Sequence, residues 1–396
     1  MNLSFYSSFG DSNGLPVPEP SSPFNTMAFS SCGQLLAAGT EIGRVFIFPI
    51  LYQNQLLPRT HICPSLSFSV PQPKYDMNRG ILTNPYITSL KFTPEFQLNP
   101  KLLVSSSYST HLYQIKRDDT SSWTKFTSQY DCPHKESPSI QYRGEHIQIL
   151  DDLRLNEIVY SDFYCPNSIF VASTNGTCLF EANRNEVSML SVTSDRITCA
   201  DMNQQFQELF LLGKSDGALS LYDMRQQPEN LSPSFEIKIP NFLPKDHLRE
   251  NFTEIKSAKF APNNVFFAAR TFGDIFIFDM RNPSQPYSQF DLQWFKRMDS
   301  ITVTGMASDK FGLEFIDDIR VICGVYEEKM VVWDIEGQNS TKIELKNPLT
   351  PKKTVDVTAN QCSCVAVNPK VDLVAASAQE SIFFFTIDEE GGETVS

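Results

Sequence analysis

The chain has 396 residues, 41% hydrophobic and 12% aromatic with 31 Phe, enough apolar material for a sizeable core and too much for a disordered chain. A formal net charge of -13 and a pI near 4.9 exclude a nucleic acid or an anionic membrane surface as the main partner, since both require a basic patch. The nine cysteines are odd in number and lack metal or redox spacing, so they read as reduced thiols of an intracellular protein, expected in the cytoplasm and with room for a nuclear share as well.

In chain order, Met1-Asn2-Leu3-Ser4-Phe5-Tyr6 lacks a basic region followed by an apolar run, so no secretory signal is expected. Leu3 to Ser7 is a strand candidate, and Gly10 to Pro23, with four prolines, reads as an extended link. A repeating unit follows: a small apolar strand, a tight polar turn, and an alternating aromatic strand. Its first copy is Leu35-Leu36-Ala37-Ala38 with Val45-Phe46-Ile47-Phe48, and the second ends at Leu112-Tyr113-Gln114-Ile115. The third pairs Ile169-Phe170-Val171-Ala172 with Leu179-Phe180-Glu181, and the fourth ends at Leu219-Ser220-Leu221-Tyr222-Asp223-Met224-Arg225. Phe266-Phe267-Ala268-Ala269 and Ile275-Phe276-Ile277-Phe278-Asp279-Met280-Arg281 make the fifth, and Met330-Val331-Val332-Trp333-Asp334 ends the sixth. The seventh is Leu373-Val374-Ala375-Ala376 with Phe383-Phe384-Phe385-Thr386, before an acidic tail over 389–396 expected to be frayed and flexible.

Seven such units predict an all-β chain, one domain over 1–396: a seven-bladed WD-repeat β-propeller, closed by Leu3 to Ser7 beside Ile382 to Phe385. Only Trp333-Asp334 keeps the literal Trp-Asp pair; Tyr222-Asp223 and Phe278-Asp279 replace it elsewhere. Small residues in the strand before the aromatic one suit crowding near a propeller axis. Repeat ends lie about 42 to 67 residues apart, often longer than the usual period of about 40 to 45, so insertions are expected. The longest fall at 49–86 and 116–155. Within 117–155, between the second and third blades, Ser139 to Ile149 reads as a hairpin arm turning at Arg143-Gly144, with Ile140, Tyr142, Ile147 and Ile149 on one face. The longest apolar runs, such as Ile382 to Phe385, are strand-length, so no membrane span is expected.

No phosphate-cradling loop, nucleophile elbow or zinc helix is present, and the five histidines show no ligand spacing. The chain therefore reads as a non-enzyme with no cofactor and no metal site. Cys362 and Cys364 share a strand face as small core-filling residues, and the pairs Asp151-Asp152 and Asp317-Asp318 read as solvated turns. Stripes such as Phe46 with Phe48, or Phe276 with Phe278, read as blade packing and not as a base-stacking platform.

In WD-type blades the turn between the second and third strands faces one end of the ring. The corresponding windows begin at Thr40, Ser105, Ala172, Lys214, Arg270, Val325 and Ser377. They offer Glu41, Lys214, Asp216, Arg270, Asp274, Glu327, Glu328 and Glu380 as substrate-facing charges. Most of the acids fall in the last three blades, which reads either as an acidic sector or as ordinary solvated turns.

From the fourth repeat onward the sequence resembles the WD-repeat regulatory B subunits of protein phosphatase 2A. The resemblance lies in Lys214-Ser215-Asp216-Gly217 through Arg225, in Phe252-Thr253-Glu254-Ile255 leading to Lys259-Phe260, and in Arg270-Thr271-Phe272 before Ile275 to Asp279. Asp309-Lys310-Phe311, Gly324-Val325-Tyr326 and Asn368-Pro369-Lys370 continue it, and Gly33 to Ala37 with Gly43 to Phe48 resemble the first blade of that family. Ser173-Thr174 departs from it, standing where the family places an acidic pair. The resemblance implies a non-catalytic regulatory subunit that assembles with a phosphatase catalytic subunit and a helical-repeat scaffold and recruits phosphoprotein substrates. It also implies a scaffold contact through the arm at Ile140, Tyr142, Arg143, Ile147 and Ile149. The alternative is a general WD-repeat interaction scaffold in another complex.

Overall fold

The computed structural model describes residues 2–9, 22–50, 64, 66–70, 75–76, 81–82, 86–95, 101–107, 109–115, 157–165, 168–181, 186–193, 195–226, 231–242, 253–292, 312–325, 329–336, 339–345, 362–378 and 380–388. The expected arm at 117–155 and the tail at 389–396 lie outside them.

Seven antiparallel sheets follow one another along the chain, and each alternating stretch found in the sequence is a strand in one of them. Blade one pairs Phe24–Phe29, Leu35–Thr40, Arg44–Pro49 and Leu66–Ser69, and blade two Ile87–Phe92, Lys101–Ser106 and Thr110–Gln114. Blade three holds Ile158–Cys165, Ser168–Ser173, Gly176–Glu181 and Glu186–Val192. Blade four holds Ile197–Met202, Leu209–Lys214, Ala218–Asp223 and Phe235–Lys238, and blade five Ser257–Phe260, Phe266–Arg270, Asp274–Asp279 and Asn282–Asp291. Leu313–Phe315, Arg320–Val325, Lys329–Asp334 and Ser340–Glu344 form blade six. Blade seven consists of Cys362–Val367, Leu373–Ala378 and Ser381–Asp388, with Asn2–Phe9 as its fourth strand. A small extra hairpin, Tyr75–Asp76 with Ile81–Leu82, sits in the first insertion.

The first strands of successive blades touch one another around the whole ring, so they surround the axis. That corrects one expectation, since the small-residue strand is the second from the axis and its crowding has another cause. Its next-to-last residue is Gly39, Ser105, Ala172, Gly213, Ala269, Gly324 or Ser377 in the seven blades, small and buried each time. In blade one a Cβ at Gly39 would come within 2.5 Å of Ile87, which begins the inner strand of blade two. The small residue makes room for the neighbouring blade.

Side chains alternate across each sheet, so each blade supplies apolar groups to two neighbours. Seven buried clusters result, one in each space between blades. Phe46 and Phe48 pack toward blade seven while Val45 and Ile47 pack toward blade two. Phe276 and Phe278 are likewise buried between blades.

Ring closure takes place as the sequence indicates. Asn2–Phe9 runs antiparallel to Ser381–Asp388, with Phe5 opposite Phe385 and Phe9 opposite Ile382. The register shifts between Phe5 and Ser7, leaving Tyr6 as a bulge. A one-residue slip exchanges the two faces of a strand. Leu3 and Phe5 therefore pack into the cluster between blades six and seven, whereas Phe9 packs into the one between blades seven and one.

Candidate functional site

In each blade the second strand ends and the third begins where the window places it, and these strand ends gather at one end of the ring. Their charged side chains differ sharply in access. Arg270 is 0% exposed, and its Nη1 donates to the Gly312 carbonyl at 2.9 Å, joining blade five to the start of blade six. Asp274 is 1% exposed and accepts from Gln289 Nε2 at 3.1 Å. Lys214, at 7%, reaches back along its own blade to Glu236 Oε2 at 2.9 Å. These three belong to the frame of their blades, and a substrate touching the surface does not meet them. The expectation that they face a substrate is corrected accordingly.

Glu41, Asp216 and Glu380 are only partly buried and stay at that end of the ring. Glu327 and Glu328 lie outside the described residues. In blade three Ser173 Oγ donates to Asn175 Oδ1 at 3.0 Å, so this turn is polar and uncharged.

Blade four carries the most developed charge network at this end. Asp216 Oδ1 accepts the Ala218 amide at 3.0 Å, and Asp216 is also paired with Lys238. Glu236 accepts from Lys214 and from Ser220 Oγ, each at 2.9 Å. Burial pushes the Asp216 carboxyl up, but the Lys238 hydrogen bond, the Ala218 amide and the lysine charges outweigh it and leave the pKa lowered. Glu236 is lowered first by its bond from Lys214, and Lys238 is raised by its bond to Asp216. The turn itself is tight: Gly217 has φ 79°, and a Cβ there would meet the Thr253 carbonyl at 2.7 Å. Glu236 and Lys238 were missed in the sequence because they sit on the fourth strand, about 20 residues beyond the turn they complete.

A second constellation went unread. Lys91, Asp162, Asp201, Lys259 and Glu314 occupy corresponding places on the inner strands of blades two to six, each just before Phe or Met. Lys91 Nζ lies 2.9 Å from Asp162 and 4.0 Å from Asp201. Lys259 Nζ lies 3.4 Å from Asp201 and 3.3 Å from Glu314. Tyr160 donates its hydroxyl to Asp162 at 2.6 Å, and Lys91 stands 5.2 Å from its ring centre. Burial opposes the charge on Lys259, yet the carboxylates of Asp201 and Glu314 more than offset this and raise its pKa. The wheel thus satisfies its own charges across five blades. Among the described residues no group of three or more His, Cys, Asp or Glu is placed to hold a metal ion, and no helix is long and apolar enough to cross a membrane.

No family model matches the sequence. Over 400 residues it is 20% identical to the gamma isoform of the 55 kDa regulatory B subunit of serine/threonine-protein phosphatase 2A from Macaca fascicularis, covering 90% of this chain and 87% of that protein. The fold is similar to that in the crystal structure of Chaetomium thermophilum Raptor, with a TM-score of 0.61 at 12% identity over 98% of this chain. This chain spans 29% of the Raptor chain. It is also similar to the Myceliophteria thermophila Cps50 (Swd1) β-propeller domain, with a TM-score of 0.58 at 12% identity over 98% of this chain and 100% of that domain. The chain has a seven-bladed propeller fold and a distant sequence similarity to a phosphatase regulatory subunit.

Proposed function

We propose that the chain is a non-catalytic regulatory subunit of a protein phosphatase 2A assembly, binding a catalytic subunit and a helical-repeat scaffold and recruiting phosphoprotein substrates. The observation that carries this reading is an alignment extending over nearly the full length of a B gamma regulatory protein of that phosphatase, at 20% identity. The linkers between repeats add support, because a propeller of another lineage has no physical reason to keep Phe252 to Ile255, Asp309 to Phe311 or Asn368 to Lys370 in this order. Glu41, Asp216 and Glu380 are the substrate-facing charges in this reading. The scaffold contact falls to Ile140, Tyr142, Arg143, Ile147 and Ile149, outside the described residues.

A tagged full chain is expected to co-purify with both subunits under mild salt and to hydrolyse no phosphoester alone. Replacing 140–149 with a Gly/Ser linker is expected to abolish scaffold binding while leaving thermal unfolding nearly unchanged. Repeated failure to recover either subunit would sink this reading in favour of a propeller scaffold in another complex, which the likeness to Raptor and Cps50 in fold supports.

A further inference from the structure

Among the described asparagines, Asn175 alone is followed by glycine. It ends the two-residue turn between Ser168–Ser173 and Gly176–Glu181 in blade three, at the end of the ring that carries Glu41, Asp216 and Glu380. Glycine has no Cβ beside its amide nitrogen, which leaves that nitrogen unhindered toward the side-chain carbonyl of the residue before it. Two features of the turn favour reaction between them. Asn175 is only partly buried, so water reaches its side chain. Ser173 Oγ donates to Asn175 Oδ1 at 3.0 Å, which draws electron density from the amide carbon and stabilises an oxyanion formed there. The backbone of the turn is tied to its neighbours: the Thr174 amide donates to the Glu157 carbonyl at 2.8 Å, the Ile197 amide to the Thr174 carbonyl at 2.8 Å, and the Thr193 amide to the Asn175 carbonyl at 3.1 Å. Gly176 is paired with Ser173 and with Val192. The turn must therefore open locally before the Gly176 nitrogen can swing to the side chain, which slows the step without forbidding it. The other turns supply contrasts. Asp216-Gly217 in blade four has the same spacing, but its carboxylate is held ionised by Lys238 and the Ala218 amide, and an ionised carboxylate is a poor electrophile. Asn282 and Asn368 precede proline, which has no N–H to give.

We propose that Asn175 is a site of spontaneous deamidation through a cyclic imide, assisted by the Ser173 hydroxyl. The Gly176 nitrogen bonds to Asn175 Cγ and gives up its proton, the Cγ–Nδ2 bond breaks, and Nδ2 leaves as ammonia. Water then opens one or the other C–N bond of the ring, leaving isoaspartate or aspartate, and nothing is oxidised or reduced. Either product puts a carboxylate into a turn that is otherwise polar and uncharged. Isoaspartate also lengthens the main chain by one carbon and takes the carbonyl that accepts from Thr193 out of it. The proposal is independent of the phosphatase reading, which makes no use of Asn175.

The test incubates the full chain for several weeks at mildly alkaline pH beside a synthetic peptide of residues 171–179. Both are sampled by peptide mass spectrometry, with isoaspartate detected by enzymatic carboxyl methylation. A gain of about 1 Da at Asn175 is expected, since an amide NH2 becomes a hydroxyl. Isoaspartate should be the larger product, and the rate should lie about tenfold or more below that of the peptide because the turn must first open. Gly176→Ala should slow the conversion about tenfold or more, as a methyl group hinders the nitrogen, and Ser173→Ala should slow it severalfold. An unchanged mass at Asn175 when the peptide has fully converted overturns the proposal. So does a rate indifferent to Gly176→Ala, or aspartate as the sole product, either of which would mean direct hydrolysis of the side chain. Faster conversion in Ser173→Ala also overturns it, showing that the hydroxyl restrains the amide instead of activating it. Should either variant fail to fold, the share of isoaspartate in the unmodified protein decides the matter.

Discussion

Where the inner strands of blades two to six carry Lys91, Asp162, Asp201, Lys259 and Glu314, blades one and seven carry Ala28 and Ala366. The charged blades add directional ion pairs to the apolar clusters they share, whereas blades seven and one meet through a cluster rich in rings. Phe9 lies 5.0 Å from Phe48 and 6.1 Å from Phe46, and Phe48 lies 6.4 Å from Phe384. The apolar joint is also where the two ends of the chain come together. Burial of rings is non-directional and tolerates small errors of approach, whereas a partly buried charge left without its partner is costly. A joint assembled from the two ends of the described chain is therefore well served by apolar contacts.

The difference can be tested from both sides. Phe48→Ala, in the apolar joint, is expected to lower stability by about 3 to 5 kcal/mol in urea unfolding, as for a fully buried ring. Asp201→Ala, at the centre of the wheel, removes the carboxylate that Lys91 and Lys259 share and the acceptor of the Phe260 amide, and should cost about 1 to 3 kcal/mol, less than a broken buried pair because each lysine keeps its other partner, Asp162 or Glu314. Glu314→Gln at the edge of the wheel should cost about 1 kcal/mol or less; equal losses for the two would show that the wheel is not one network. Gly39→Ala, on the border between the regimes, must push Ile87 aside and is expected to lose about 1 to 3 kcal/mol. Asn264 has φ 57° where blade one has Gly33 at 73°, so Asn264→Val should cost about 1 to 2 kcal/mol in thermal unfolding and Asn264→Gly little.

The smallest expected effect concerns pH. Asp223 and Asp279 are held below the usual carboxylate range, first by the side-chain hydrogen bonds from Arg225 and Arg281. A depressed carboxyl contributes stability that is present above its unfolded value, near 3.9, and is lost as pH falls through the folded one. Carboxyl NMR titration should find both groups still ionised at pH values where free aspartate protonates. A normal midpoint in either would show that its arginine is not held.

Much of the frame was legible because period-two alternation survives wherever a strand lies between two blades. The closing strand was legible for the same reason. Its bulge was not, since Leu3, Phe5 and Phe9 share one parity and only the register with Phe384 and Phe385 reveals the change of face. Arg270 and Asp274 were misjudged because a charge in a tight turn ordinarily meets solvent, and nothing local shows that the Gly312 carbonyl or Gln289 waits beside them. The wheel escaped notice because one charge before a Phe looks like the polar half of an alternating strand. Its complementarity exists only between residues 55 to 110 apart in the sequence, as from Lys259 to Glu314 or Lys91 to Asp201.

The pairing of Asn2 with Asp388 places the first and last described residues side by side on neighbouring strands. Seen as topology, the described backbone is almost a closed loop, and where the ribosome starts reading is nearly arbitrary for the finished ring. A gene rearranged to run on from Asp388 through a short flexible linker into Asn2, and reopened at an exposed turn such as Gln204-Gln205, would encode the same seven blades from a different starting point. Fused partners could then be carried at either end of the ring without touching the strand that closes it.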